Sequence, residues 1–176
     1  MIRPAMPADA AAIAAVQVAS WRAAYRGLLP DGVLADLSTV EWERIWAARL
    51  ADPPARSAVL LAEVESGDLA GFSGLGPSLD PAAPADQGQL YTIYLRQQYW
   101  NRGIGLALHS AAMRRFAELG YRSATLWVLE SNARAIAFYR RTGWNADGAR
   151  QLDRGPGGVQ LPEIRFRRHI LDAPSC

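Results

Sequence analysis

The segment from Gln89 to Leu106, QLYTIYLRQQYWNRGIGL, constrains this chain more than any other. Aromatic and branched residues run from Gln89 to Leu95 as a strand would, and Ile104, Leu108, Ala112, Phe116 and Leu119 then recur at the helical period. Gly103 and Gly105 fall between the two patterns. A strand that turns into a helix through glycines leaves backbone N–H groups pointing at the turn, which suits an anion. The bland alternative is a tight turn that binds nothing. A bare G-x-G does not decide, since Gly74/Gly76 and Gly155/Gly157 match it too. A dinucleotide fingerprint asks for a third glycine or alanine where Leu108 stands. A phosphate-binding loop of the Gly-Lys-Ser/Thr type is excluded because all 19 basic residues are arginine.

The remaining sequence narrows the class. Half of the 176 residues are apolar, enough for one domain with a full core. No run approaches the roughly 20 apolar residues of a membrane helix. Asp9 interrupts the Ala-rich start and Arg3 alone makes a poor signal-peptide n-region, so cytoplasmic residence without a membrane partner is expected. A net charge of +2 and a pI near 9.0, with no dense basic run, give no reason to expect a nucleic-acid partner. Cys176, the only cysteine, allows no internal disulfide, and no metal is expected. The absence of lysine fits a general composition bias that also accounts for the many alanines.

Along the chain, Ile2-Arg3-Pro4 reads as a short strand. Asp9 to Tyr25 is a helix with Ile13, Val16, Ser20 and Ala24 near one stripe. Thr39 to Leu50 is another, with Thr39 as its cap and Trp42, Ile45, Trp46 and Leu50 on its apolar face. Two strands surround Ser66-Gly67-Asp68. The proline-rich GPSLDPAAPADQG is expected to be a mobile surface loop. The helix from Ile104 ends at Gly120, a strand follows from Ser123 to Glu130, and a short helix capped by Ser131 or Asn132 runs to Gly143. Weaker strands are expected around Trp144 to Ala149 and Val159 to Ile170. The order predicts an α/β domain with a mixed sheet.

Taken together, LYTIYLRQQYWNRGIGLALHSAAMRRFAELG, ATLWVLESNARAIAFYRRTGW and the opening IRPAMPADAAAIAAV resemble the GNAT superfamily of N-acetyltransferases. The resemblance implies a single-domain GNAT-like α/β fold over residues 1–176. Its sheet would be mixed but mostly antiparallel, with a splayed central strand pair and flanking helices. Residues 9–50 would form the acceptor side, 89–144 the acetyl-CoA-binding core, and 145–176 the C-terminal strands and tail. It further implies an enzyme that moves acetyl from acetyl-CoA to a primary amine of a small molecule or protein, by direct attack in a ternary complex. The alternative is a non-catalytic acyl-CoA-binding or regulatory module with the same fold. Family members often dimerise, so a homodimer is open.

By the same resemblance, Ile93, Tyr94 and Leu95 form the splayed strand whose freed backbone groups pair with the pantetheine arm. Asn101, Arg102, Gly103, Ile104, Gly105 and Leu106 wrap the pyrophosphate, and Arg96 and Arg134 are further sources of positive charge. Asn132 hydrogen-bonds the pantetheine arm, and Tyr139 donates a proton to the departing thiolate. On residue type alone Asn132 is a helix cap and Tyr139 a core tyrosine; the joint spacing behind the glycine junction carries the functional reading. One departure is Trp100, where the family usually has Gln or Arg three positions before the first motif glycine.

The general base is not assigned. Positions where relatives carry an acid hold Gln89 and Trp127 here, leaving Glu63, Tyr91 or a chain of waters, while His109 reads as structural or solvated. Trp21, Tyr25, Trp42 and Trp46 either line an acceptor pocket or pack the core; Trp21, Tyr25 and Tyr91 are the candidates for acceptor contact. The loop from Pro77 to Gln87 is a candidate lid.

Overall fold

The computed structural model describes residues 1–170 and contains one seven-stranded sheet. Its strands are β1 (Ile2–Pro4), β2 (Ala58–Glu63), β3 (Leu69–Pro77), β4 (Gln87–Leu95), β5 (Ser123–Leu129), β6 (Asn145–Arg154) and β7 (Gln160–His169). They lie in the order β1-β2-β3-β4-β5-β7-β6. Only β4 and β5 run parallel; every other neighbour pair is antiparallel. This is the mixed sheet that the element order predicts, mostly antiparallel as the resemblance implies. The helices are α1 (Ala10–Ala24), α2 (Asp31–Ala35), α3 (Thr39–Ala51), α4 (Ile104–Glu118) and α5 (Ala133–Arg141).

The helices divide the core between the two sheet faces. On one face α4 and α5 lay Leu108, Ala112, Phe116 and Tyr139 against Leu90, Leu126, Val128 and Phe166. On the other, α1 and α3 pack Ile13, Val16 and Trp46 over Leu61 and Phe72. Farther along that second face, Val18 and Leu34 meet Leu129 and Leu161. The approach of α4 is close: a Cβ at Gly88 would come within 2.5 Å of the Phe116 ring, so only glycine lets this helix sit down on β4.

Several expectations need correction. The cap of α3 is Ser38, whose Oγ accepts the Glu41 N–H at 3.3 Å, and Thr39 is already inside the helix. Ile45 is 45% exposed, because α3 lies at the rim and buries only a narrow stripe centred on Trp46. The short α2 was hidden among the turn signals of RGLLPDG; Leu34 buries itself beneath it, and Arg22 donates to the carbonyls of Leu34, Ala35 and Leu37 at its C-terminal end. The β6–β7 hairpin is longer than predicted, since β6 continues through polar residues to Arg154 at the exposed sheet edge. Cys176 lies outside the described residues. Among the described residues no helix is long and apolar enough to cross a membrane.

His109 belongs to the core. Its Nε2 accepts the indole N–H of Trp144 at 2.9 Å, and burial together with the nearby Arg168 pushes its pKa down to about 4. The native state therefore holds a neutral imidazole that the unfolded chain protonates near 6.5. Stability should fall as pH drops from about 6.5 to about 4, by up to about 3 kcal/mol from this group. Urea unfolding of His109→Gln at several pH values should show a shallower loss across that window than the parent chain; an equal slope would count against it.

Candidate functional site

The centre of the sheet is open. The ladder between β4 and β5 contains only Gln87–Gln89 against Ser123–Thr125, although β4 runs on to Leu95 and β5 to Leu129. A one-residue register shift against β3, between Gly74 and Leu75, places a bulge at Tyr91, where the two strands begin to part. Arg96 N–H donates to Ala70 C=O, so by antiparallel alternation Ile93 and Leu95 turn their backbone groups away from β3 and into the gap. One of them has a partner: the Trp100 indole N–H donates to Leu95 C=O at 3.0 Å.

The loop from Arg96 to Gly103 then reverses the chain. Asn101 (φ +58°) and Gly103 (φ +78°) both take the left-handed conformation, and Gly103 is the N-cap of α4. No side chain caps this helix, and space around Gly103 is open, with no heavy atom within 4 Å of a Cβ placed there. The first-turn N–H groups of α4, from Ile104 to Leu106, therefore face outward with the positive end of the helix dipole. Around them stand Arg96, Arg102 and Arg134, none of which forms an ion pair among the described residues. The Arg96 Nε is buried without a hydrogen-bond partner among the described residues. Arg134 stacks on Trp100, its guanidinium carbon 3.3 Å from the ring centroid. Burial against that ring lowers the Arg134 pKa. The loop thus holds unneutralised positive charge and unpaired donors, which fit a polyanion.

At the far side of the gap Asn132 caps α5, its Oδ1 accepting the Ala135 N–H at 3.1 Å. Its side-chain NH2 group has no acceptor among the described residues and can donate. Two turns later Tyr139 is buried, and desolvation holds its phenol protonated far above the ordinary range. Tyr139 comes from the α5 face, yet the phenols of Tyr25 (α1) and Tyr94 (β4) lie near enough to influence its charge and each other's. Burial, with Glu163 of β7 adding to it, raises Tyr25 to about 12, and burial raises Tyr94 well above its ordinary value too. Trp21 packs edge-on to Tyr25 at 4.8 Å and to Tyr94 at 6.4 Å. Its buried indole N–H lies beside the Tyr94 hydroxyl, close enough to moderate its pKa but without hydrogen-bond geometry.

The remaining candidates are elsewhere. Tyr91 donates to Pro77 C=O and lies under Arg49 on the α3 side, outside the phenol cluster. Trp46 is core, its indole N–H bonded to Gln17 at 2.7 Å, and Trp42 packs partly buried beside it. Glu63 is held by Arg3 at 2.7 Å at the opposite edge of the sheet. Gln89 is buried and accepts the Leu79 N–H, while Asp80 pairs with Arg165 at 3.0 Å. The loop expected to be mobile is thus tied to the sheet at both contacts. Glu163 escaped sequence reasoning because it sits in a strand with no motif, and only pairing with Leu129 brings it to the gap.

The chain matches the acetyltransferase (GNAT) family over residues 19–144. It belongs to that family. It is similar to the uncharacterised N-acetyltransferase YuaI of Bacillus subtilis, at 31% identity over 93% of this chain and 89% of the relative. The fold is shared with the PaiA N-acetyltransferase of Thermoplasma acidophilum in complex with coenzyme A (TM-score 0.70, 18% identity, covering 96% of this chain and 98% of that one). It is shared also with yncA of Salmonella typhimurium with its cofactor acetyl-CoA (TM-score 0.72, 19% identity, 99% and 96% covered). In this GNAT chain the loop pinned by Gln89 borders the gap. Gln89→Ala should raise amide hydrogen exchange at Leu79 by about tenfold or more while β3 amides stay protected; unchanged exchange at Leu79 would show that Asp80 and the prolines hold the loop without it.

Proposed function

We propose that this protein transfers an acetyl group from acetyl-CoA to a primary amine of a small molecule or protein, in the cytoplasm, by direct attack within a ternary complex. The observation that carries the proposal is the parted strand pair leading into an uncapped helix N-terminus ringed by unpaired arginines. A long ligand with an anionic head and an amide-bearing tail suits both halves of that arrangement.

In this reading the N–H groups of Gly103, Ile104, Gly105 and Leu106, with Asn101, receive the pyrophosphate, and Arg102, Arg96 and Arg134 add positive charge. Arg134 on its indole shelf supplies the cation that Trp100 itself cannot. Ile93, through its N–H and C=O, and Leu95, through its N–H, offer backbone groups to the pantetheine amides, joined by the Asn132 side-chain donors; the Tyr94 backbone, expected to join them, is instead turned to Phe72 of β3. The thioester is what acetyl-CoA supplies. The Leu95 N–H faces the gap, where it can stabilise negative charge developing on a carbonyl oxygen. Tyr139 has a pKa above that of a thiol (about 8.5), so full proton transfer to a thiolate is uphill. Its role is a hydrogen bond to the leaving sulfur. Trp21 and Tyr25 contribute acceptor contact; Tyr91, on the α3 side, contributes none.

A Cβ at Gly105 would meet nothing nearer than 3.6 Å, so Gly105→Ala should fold normally. A long acidic side chain there, Gly105→Glu, should weaken acetyl-CoA binding at least tenfold by calorimetry, with an unchanged melting temperature. Equal binding by both variants would remove the phosphate site from α4. Tyr139→Phe should lower kcat by about 10- to 100-fold with acetyl-CoA affinity kept. Saturable acetyl-CoA binding without turnover of any amine would instead favour a regulatory module.

A further inference from the structure

No motif of the chain supplies the proton acceptor or selects the chemistry of the amine. The face of the sheet beneath α1 and α2 narrows both. Glu163 pairs with Leu129 across β5 and with Gln151 across β6, so its side chain shares the α1 face with theirs. There Gln151 Nε2 donates to its carboxylate at 2.7 Å, and no cation pairs with it among the described residues. It is half-buried, and on that face its cross-strand partner Leu129 and the nearby Leu161 belong to a cluster against which Trp21 and Tyr25 pack; its charge adds to the burial that raises the Tyr25 and Tyr94 phenols. Those two rings and Trp21 form an aromatic corner at the same place.

The surrounding charge is unbalanced. Asp153 of β6 lies near Glu163 and disfavours its ionisation. Two residues along β7, Arg165 is already shared between Asp80 at 3.0 Å and Asp147 at 2.8 Å, and its guanidinium covers Trp127. Arg150 pairs with Ile164, so it lies on the opposite face, where it is bound to Glu130 at 2.5 Å. Arg22 of α1 spends its donors on α2 carbonyls. An acceptor entering from this side meets aromatic rings and excess carboxylate, with no uncommitted cation beside Glu163 among the described residues.

We infer that Glu163 is the residue that binds the acceptor ammonium and removes its proton, and that the acceptor is a cationic primary amine bearing no carboxylate next to the amine. The inference rests on the acetyl-transfer function proposed above. Aromatic rings and a carboxylate are what an ammonium ion prefers, and a zwitterionic amino acid would bring its own anion against Asp153 and Glu163. In the step itself Glu163 accepts one proton from R–NH3+ and passes it to solvent. The freed lone pair forms the C–N bond as the C–S bond breaks, and the second nitrogen proton balances the departing thiolate. Burial has already moved the carboxyl upward from the ordinary carboxylate range, which makes it a better base near neutral pH.

The test measures CoA release from acetyl-CoA with 2-phenylethylamine, spermidine and phenylalanine as acceptors. 2-Phenylethylamine and phenylalanine share one aromatic body and differ only in the carboxylate. The expected result is turnover of the cationic amines, with kcat/KM for 2-phenylethylamine on the order of ten times or more that for phenylalanine. Glu163→Gln, which keeps the shape and the Gln151 contact, should lower kcat/KM by about 100-fold or more and lose the acid limb of the pH profile. Glu163→Asp should retain that limb at reduced rate, and all three proteins should bind acetyl-CoA alike. Phenylalanine turned over as well as 2-phenylethylamine, or neither cationic amine turned over by protein that binds acetyl-CoA, overturns the acceptor class. Glu163→Gln within threefold of the parent with the same pH profile overturns Glu163 as base and leaves acetyl transfer standing. Failure of the parent to bind acetyl-CoA overturns the function beneath both.

Discussion

A β-sheet is ordinarily a wall: its backbone hydrogen bonds close every space between strands, and side chains on opposite faces never meet. Here the wall has one doorway. The β4–β5 ladder stops after Gln89 and Thr125, and the bulge at Tyr91 turns β4 aside. Each buried backbone group left unpaired costs on the order of 1–3 kcal/mol, so the opening is unfavourable by itself. The Trp100 indole recovers one of these bonds at Leu95 C=O. The groups that remain are the ones a ligand with amides along its length can satisfy. At this doorway Tyr139, from the α5 face, comes near enough to Tyr25, from the α1 face, for that phenol to add to its upward shift.

The doorway also separates two electrostatic fields. On the α4 side, unpaired helix N–H groups and Arg96, Arg102 and Arg134 make the approach positive. On the α1 side, Glu163, Asp153 and the doubly paired Arg165 make it acidic. An anionic acyl donor and a cationic amine would enter from opposite faces, each repelled from the other's entrance. The aromatic residues between them, Trp21, Tyr25, Tyr94 and Tyr139, exclude water where the two would meet. Exclusion of water is also why the phenols stay protonated and why the carboxyl of Glu163 shifts upward.

Departures from a common motif are absorbed locally. Trp100 stands where a polar residue is usual, and its indole both closes the Leu95 carbonyl and carries Arg134 on its ring. Gln89, standing where some relatives carry an acid, holds Leu79 of the neighbouring loop. Neither position is vacant; each has been given a structural task, and the acidic chemistry is left to β7.

Elements with strong periodicity were readable from residues alone. The apolar stripe of α4, the strand before it and the left-handed Gly103 between them follow from side-chain pattern and backbone sterics, which are local. The helix cap at Asn132 is local for the same reason. The short α2 and the full length of β6 were not readable, because Leu34 is stabilised by distant neighbours and β6 by pairing with β7. Side-chain roles divided in the same way. Nothing around Trp46 in the chain says that Gln17 will bond it, and nothing around Glu163 says that it will stand beside Tyr25 and Tyr94. Local pattern decided where the chain bends and what it buries. Which charges face each other across the open strands is a matter of long-range register, and only the folded sheet decided it.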